Sequence, residues 1–510
     1  MKLNQLLIVT FVGAQFAVAA FADDATNNST EAAEIAALKQ EIQKLDQKVS
    51  DLEGRSQVAQ PATASSDAAQ IQDLDQKVRI LSREREIDQD AAATTAKTQP
   101  KITLGASGFG FSSADSNFVA TIHGLIQVDS RTFSQDDHVQ GNDSILLRRA
   151  RPIITGTVFR DFDFNFTPEF GNGTPGAATT PSIYDAYLNY RYSPWFQVEA
   201  GKFKPPVGLE YLQSDTYTSF NERSLVTDLI PGRDLGFELH GDISGGVVSY
   251  AAGIFNGVGD GQKNTTSIGF QNNRGFDGRL FVQPFKATGI AALQNFGFGA
   301  GGSWDSSSIT NTLGLPNTTG GSQPGFYTDG QQQFFAYSSG VVAARTHKRL
   351  SPQAYYYYGP LSLLGEYAIS GQQVSKGAAS VDLQNTAWEI SGGWVLTGED
   401  ATFNGVTPRH NFDPRNGGWG ALQVVARYAE LNVDKAAFPV FADPTLSASG
   451  AQAWSLGLNW YLNKNIRVNA SYSHTAFTGG AAANIIATSA PGSVSSHPED
   501  VFFTRVQLSF

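Results

Sequence analysis

Residues 144–171, SILLRRARPIITGTVFRDFDFNFTPEFG, carry the pattern on which the fold turns. In the second half Phe162, Phe164, Phe166 and Phe170 fall on one side of an extended chain, with Asp161, Asp163, Asn165, Thr167 and Glu169 on the other. Successive side chains of a strand point to opposite faces, so one face is apolar and one is polar. A half-buried sheet of a water-soluble protein shows this alternation. So does a membrane-barrel strand, with its apolar face on lipid and its polar face on a water-filled lumen. The number of repeats separates the two. In the first half Arg149 and Arg151 share a face and Arg148 lies beside them, which carries positive charge into the lumen if the chain is a barrel.

The alternation recurs to the end of the chain. It is clear in Phe118 to Asp129, again in Tyr184 to Arg191, and in Phe196 to Glu199. Further strands read as 233–241, 247–256, 274–284, 295–304, 348–358, 361–370, 386–397, 418–432, 452–462, 466–475 and 501–510. With the two strands of the quoted stretch the count is sixteen. Joints at 160–161, 193–194, 359–360 and 463–465 are tight, whereas 205–232, 305–347 and 478–500 are long and rich in Gly, Ser, Asn and Thr. An even strand number, short turns on one side and long loops on the other describe a bacterial outer-membrane barrel. The connection 398–416 is long on the short side and is expected either to enter the lumen or to hang in the periplasm. Trp195, Trp388, Trp394, Trp419, Trp454 and Trp460 near strand ends, with Tyr355 to Tyr358, would form interfacial girdles. A soluble sandwich also buries aromatics, but sixteen strands would need several sandwiches with linkers, and none is visible between 116 and 510.

Composition agrees. Of 510 residues only 16% are charged, below the ~25% usual for soluble domains, with 52 Gly and no Cys. The mean hydropathy is still negative, at -0.22, unlike that of helical membrane proteins. The lack of cysteine excludes disulfide staples and thiolate metal sites. A net charge of -11 argues against nucleic-acid binding.

The N-terminus reads as an export signal. Lys2 precedes an apolar run from Leu6 to Val18, then Ala20-Phe21-Ala22 and Asp23-Asp24, a pattern that predicts cleavage after Ala22. The run is shorter than the ~20 residues a spanning helix needs, which disfavours an uncleaved anchor. Residues 23–100 form a second module. Ile35, Leu38, Ile42, Leu45, Val49 and Leu52 alternate spacings of three and four among charged residues, the seam of a short coiled coil. After the Pro-Ala-Ser stretch from Pro61 to Asp67 the seam resumes at Ile71, Leu74, Val78 and Leu81, and LDQKV at Leu45 recurs at Leu74. The copies are 29 residues apart, not a multiple of seven, so no continuous register joins them. β-Branched residues at a with Leu at d favour two strands. A single amphipathic helix is the alternative.

Six strings then resemble the phosphate-selective porin O/P family of Gram-negative outer membranes: GKFKPPVGLE at Gly201, ERSLVTDLIPGRDLG at Glu222, RLSPQAYYYYGPLSLLGEY at Arg349, GGWGALQVVARYAELNVD at Gly417, LGLNWYLNKNIRVNASYSHT at Leu456, and the terminal VQLSF. The resemblance spans 110–510. It implies a homotrimer of 16-stranded antiparallel barrels, each narrowed by inward-folded loops and lined by basic residues that draw anions inward. The implied trimer conflicts with the two-stranded preference of the seam; a large barrel interface would overrule a seam this short. Phe510, with Leu508, Val506 and Phe502 on its face, is similar to the signal read by the barrel-insertion machinery.

By that resemblance Arg148, Arg149 and Arg151 match the family's basic strand and are the first candidates for the anion-binding, pore-lining site. Arg131, Lys202, Lys204, Arg223 and Arg233 follow. Arginine and lysine donors replace part of an anion's hydration in a narrow throat, and several weak sites in series let it leave again. The sequence departs from the family where phosphate-selective members carry lysines and this chain has Tyr211 and Thr216, and where Asp215 adds a negative charge. Residues 101–510 hold 26 Lys and Arg against 32 Asp and Glu, a net of -6.

Other chemistry finds little support. Residues 297–302 match G-x-G-x-x-G, but no helix follows, so glycines on a strand face are the better reading. The seven histidines show no metal-ligand spacing, and no nucleophile constellation stands out. The expectation is therefore a signal peptide at 1–22, a periplasmic coiled coil and linker at 23–100, and an outer-membrane β-barrel at 101–510. Such a barrel is expected to pass small anions, phosphate or related oxyanions among them, without enzymatic activity, cofactor or metal. The rivals are a weakly selective general porin and a structural or anchoring protein.

Overall fold

The computed structural model describes residues 40, 43–44, 47–51, 64–134, 143–171, 181–261, 274–306, 314–316, 323–479 and 498–510. The export signal, its cleavage position and most of the first heptad seam lie outside them. The chain divides into two units, Met1–Gln99 and Pro100–Phe510. In the first, helix α1 (Ala64–Thr98) runs for 35 residues and begins inside the Pro-Ala-Ser stretch. Ile71, Leu74, Val78 and Leu81 are its half-buried positions between 69 and 91, where every other residue is exposed. The seam is thus a narrow stripe on an otherwise solvated helix.

The second unit is a closed antiparallel barrel of sixteen strands. In chain order they are β1 (Val119–Phe133), β2 (Ser144–Val158), β3 (Phe162–Glu169), β4 (Ser182–Ser193), β5 (Phe196–Phe203), β6 (Asp234–Ile243), β7 (Val248–Phe255), β8 (Arg274–Val282), β9 (Phe296–Ser306), β10 (Val342–Tyr358), β11 (Leu361–Lys376), β12 (Ala379–Val395), β13 (Ala421–Asn432), β14 (Gly450–Tyr461), β15 (Ile466–Thr478) and β16 (Glu499–Ser509). Each pairs with the next, and β16 returns to β1 from Val501↔Phe133 to Ser509↔Leu125. Closure removes the open edges that a sheet of this size would otherwise expose. At the seam the Gly124 amide bonds the Phe510 carbonyl and the Phe510 amide bonds Gly124. A Cβ on Gly124 would lie 2.5 Å from the Phe510 ring, so the terminal aromatic needs a glycine beneath it.

All sixteen strands coincide with those read from alternation. Several ends differ; β10, for example, begins at Val342, six residues before the expected start at 348. The strands expected at 361–370 and 386–397 are longer, because β11 and β12 continue to a tight turn at Gly377-Ala378. There Val374 and Leu383 are buried against loop residues rather than alternating against lipid, which is why the two-residue pattern faded. Before β1, the hairpin Lys101–Gly105 and Gly108–Ser112 pairs with the start of β1 at Phe109↔Ile122. Its strands are five residues long and glycine-rich, too short to show a period.

Among the described residues, several connections turn inward. The loop 204–233 is buried for most of its length, with a helical turn at Leu209–Leu212 and a 3-10 turn at Leu225–Leu229. Its Val207, Leu225, Val226, Leu229 and Ile230 form one apolar cluster with Phe326, Phe334 and Phe335 of the connection 307–341 and with wall residues Ala368, Ala387 and Ala429. Burial of aromatic and branched side chains therefore holds these loops in the lumen. The glycines at 297–302 have their explanation here: a Cβ on Gly301 would lie 2.2 Å from the Val207 carbonyl, so the loop lies directly on bare backbone of β9. The connection 398–416 resolves the two options left for it. Its hairpin Ala401–Thr402 and Gly405–Val406 rises into the lumen, where Phe403 meets the Tyr355 ring and its carbonyl accepts a hydrogen bond from Gln213 of the loop 204–233 at 2.7 Å.

Candidate functional site: the constriction

The loop 204–233 narrows the barrel against β16, β1 and β2, where the arginines converge. A β-bulge places them. Gln127 pairs with Arg149 and Val128 with Leu147, so Arg148 is an extra residue in β2. Ile145 and Leu147 are 79% and 46% exposed on the outside, yet Arg149 and Arg151, of the same parity, are 6% and 7% exposed and bonded to lumen groups. One inserted residue resets the alternation, and Arg148 turns inward as well.

Two carboxylates of the loop gather these cations. Glu222 accepts Arg148 Nε at 2.6 Å and Arg131 Nη2 at 2.9 Å, with Arg505 Nη2 at 3.9 Å. Asp215 meets Arg149 Nε at 3.3 Å and is bonded by Arg151, Arg223 and the Tyr184 hydroxyl. Burial alone would raise both carboxyl pKa values. The guanidiniums of Arg149, Arg223 and Arg151 outweigh that for Asp215, and those of Arg148 and Arg131 for Glu222, holding both well below the usual carboxylate range. Arg151 is also bonded to Glu169, and Arg505 to Asp129 at 2.6 Å. Such buried pairs lose hydration on both partners, so close multidentate contact is what makes them tolerable.

The remaining candidates sit beside this centre. Arg233 binds Asp185 at 2.7 Å, and the Tyr184 ring lies between Arg151 and Arg233, each 3.4 Å from its centroid. Lys202 donates to the Ile183 carbonyl at 2.7 Å. Lys204 donates to the carbonyls of Leu212 and Gln213 at 3.1 and 2.9 Å. Sequence reasoning missed Arg505, paired here with Asp129, and Arg427, which joins Glu210 at 3.2 Å and Asp329 at 2.8 Å. Both occupy lumen-facing parity in strands already recognised, between outward Thr504 and Val506 and between Ala426 and Tyr428, so alternation could have found them. It could not have found Asp215 and Glu222 as hubs, because their arginine partners on β1 and β2 lie 64 to 91 residues away.

Open space is unequal around the loop. On the β2–β6 side a cavity of about 340 Å³ is lined by Arg151, Tyr184, Glu199, Lys204, Asp215 and Glu238. On the other side, between the loop and the 401–406 hairpin, only about 40 Å³ remains. At the short-turn end a mouth of about 910 Å³ is lined by Glu399, Arg409, His410 and Trp419.

A closed sixteen-stranded wall, lipid-facing outside and polar within, narrowed by an inward loop, defines an outer-membrane porin. The family model for phosphate-selective porin O and P matches residues 121–485, and the chain belongs to that family. Porin O of Pseudomonas aeruginosa is 23% identical over 382 residues, covering 72% of this chain and 84% of that one. Among solved structures, the outer membrane channel DcaP of Acinetobacter baumannii has a TM-score of 0.48 at 10% identity, covering 79% of this chain and 99% of its own. An anion-selective porin from Comamonas acidovorans has a TM-score of 0.47 at 10% identity, covering 77% and 100%. The protein is thus a channel of the outer membrane crossed by many strands.

Proposed function

We propose that the pore passes small anions, phosphate and related oxyanions among them, by passive diffusion past the loop 204–233. The observation that carries this reading is the local charge count. Arg131, Arg148, Arg149, Arg151, Arg223 and Arg505 face Asp129, Glu169, Asp215 and Glu222, six cations against four anions and a surplus of two positive charges. The working protein is a homotrimer of barrels, delivered by the barrel-insertion machinery through its terminal Phe510. Its signal is removed after Ala22, and residues 23–100 stand in the periplasm as a coiled coil. The pairing of most guanidiniums with carboxylates favours broad anion preference over tight binding of one species, since only the surplus charge acts on a passing ion. Reversal potentials in a potassium chloride gradient across a planar bilayer test the reading. Anion preference is expected, and it falls in Arg149→Ala/Arg151→Ala; cation preference in the parent protein overturns it.

A further inference from the structure

Where the loop 204–233 meets β11 and β12, carboxyl faces carboxyl. Glu366 and Glu389 are direct cross-strand partners on those strands, and both are buried. Glu210, in the helical turn of the loop, comes down beside them. Glu366 is satisfied: its Oε2 accepts the Glu210 amide at 2.9 Å and its Oε1 the Ser351 hydroxyl at 2.7 Å. Glu210 is satisfied too, by the Ser224 amide and hydroxyl at 2.9 and 2.8 Å and by Arg427 at 3.2 Å. Glu389 is not. Its carboxyl lies within hydrogen-bond reach of that of Glu210, yet neither Oε1 nor Oε2 receives a donor among the described residues. Arg427 faces Glu389 as well, but its guanidinium is bonded to Glu210 and Asp329.

Two carboxylates in contact cannot both ionise in a buried site, and an ionised Glu389 would be a buried charge without a donor. A single proton between them removes both difficulties. We propose that Glu389 carries this proton and donates it to Glu210, as a positioning residue that clamps the loop 204–233 to β12. The proton belongs to Glu389 because the oxygens of Glu210 already accept an amide, a hydroxyl and a guanidinium, the set that suits an ionised acceptor. Base removes the proton and leaves like charges in contact, which drives the turn at Leu209–Leu212 off the wall. The clamp therefore fails in base, whereas Asp215 and Glu222 hold the loop through ion pairs that need ionised carboxylates. The inference rests on the loop being the constriction and is indifferent to which ion passes.

Infrared spectra and single-channel recordings of the full chain in lipid test it together. At neutral pH the parent protein is expected to show a protonated-carboxyl band that is lost in Glu389→Gln and lost from the parent in base. In potassium chloride the parent current is expected to be quiet at neutral pH and to flicker in base. Glu389→Gln keeps a donor toward Glu210 at every pH, so its current stays quiet throughout, and Glu389→Ala flickers at both. Heat-modifiable migration on a gel checks that each variant is a folded barrel; if Glu389→Gln is not, Glu210→Gln substitutes, with the same loss of the band. A neutral-pH band that survives the substitution, or flicker in base that persists in folded Glu389→Gln, overturns the proposal. Cation preference in the salt gradient defeats the anion reading and leaves this one standing, because band and flicker report the loop rather than the permeant ion.

Discussion

At the scale of single residues, Asp215 limits the positive charge at the throat. One carboxylate meets Arg149, Arg151 and Arg223, so Asp215→Asn releases positive charge without moving an arginine out of the wall. Reversal potentials should shift toward stronger anion preference. Breaking a buried pair from one side costs roughly 3–5 kcal/mol, which should lower the temperature at which the barrel loses heat-modifiable migration. An unchanged reversal potential would remove Asp215 from the selectivity account. Arg148 permits a sharper test of the bulge. Because Gln127 and Val128 are consecutive but pair with Arg149 and Leu147, deleting Arg148 should regularise β2, leave Arg149 and Arg151 inside, and yield a conducting barrel with weaker anion preference. If the deletion instead abolishes folding, the inserted residue is structural rather than electrostatic.

At the scale of elements, the loop 204–233 is held by two different forces. Its apolar residues pack on Phe326, Phe334, Phe335 and the barrel wall, a contact indifferent to pH. Its Asp215 and Glu222 are ionic tethers whose folded-state pKa values lie below their unfolded ones. A depressed pKa contributes stability that is present above the unfolded value, ~4 for such carboxyls, and is lost as pH falls through the folded value. As pH falls from about 4 toward the lower folded-state values the tethers' contribution shrinks while the apolar anchor remains, so single-channel current should become noisier first, and more anion-preferring only once the carboxylates themselves take up protons, without collapse of the barrel. Asp215→Asn/Glu222→Gln should flatten that response; a parent channel indifferent to acid would contradict the tether assignment.

For the whole molecule, net charge is a poor guide to what passes. The barrel unit carries -6 over 101–510, yet the constriction holds a surplus of two positive charges, and only charges within a screening length of the path act on a solute. That length is about 10 Å at 0.1 M salt and about 3 Å at 1 M. Anion preference should therefore be larger at 0.1 M than at 1 M; independence of salt would point to size rather than charge as the filter. The wall itself was legible because its signal is local: a strand that separates lipid from water must alternate every two residues, and Phe162 to Glu169 or Gln452 to Tyr461 declare this without reference to any neighbour. That is why sixteen strands and their order could be read directly from the chain. The hairpin at 101–112 and the extended turn at 377–378 escaped because neither divides lipid from water. The charge balance of the throat escaped for a different reason. Arg151 and Asp215 are 64 residues apart, and Arg131 and Glu222 are 91 apart. Whether such residues meet depends on where an inward loop comes to rest, and that is settled by apolar packing inside a finished barrel, not by any period along the strand.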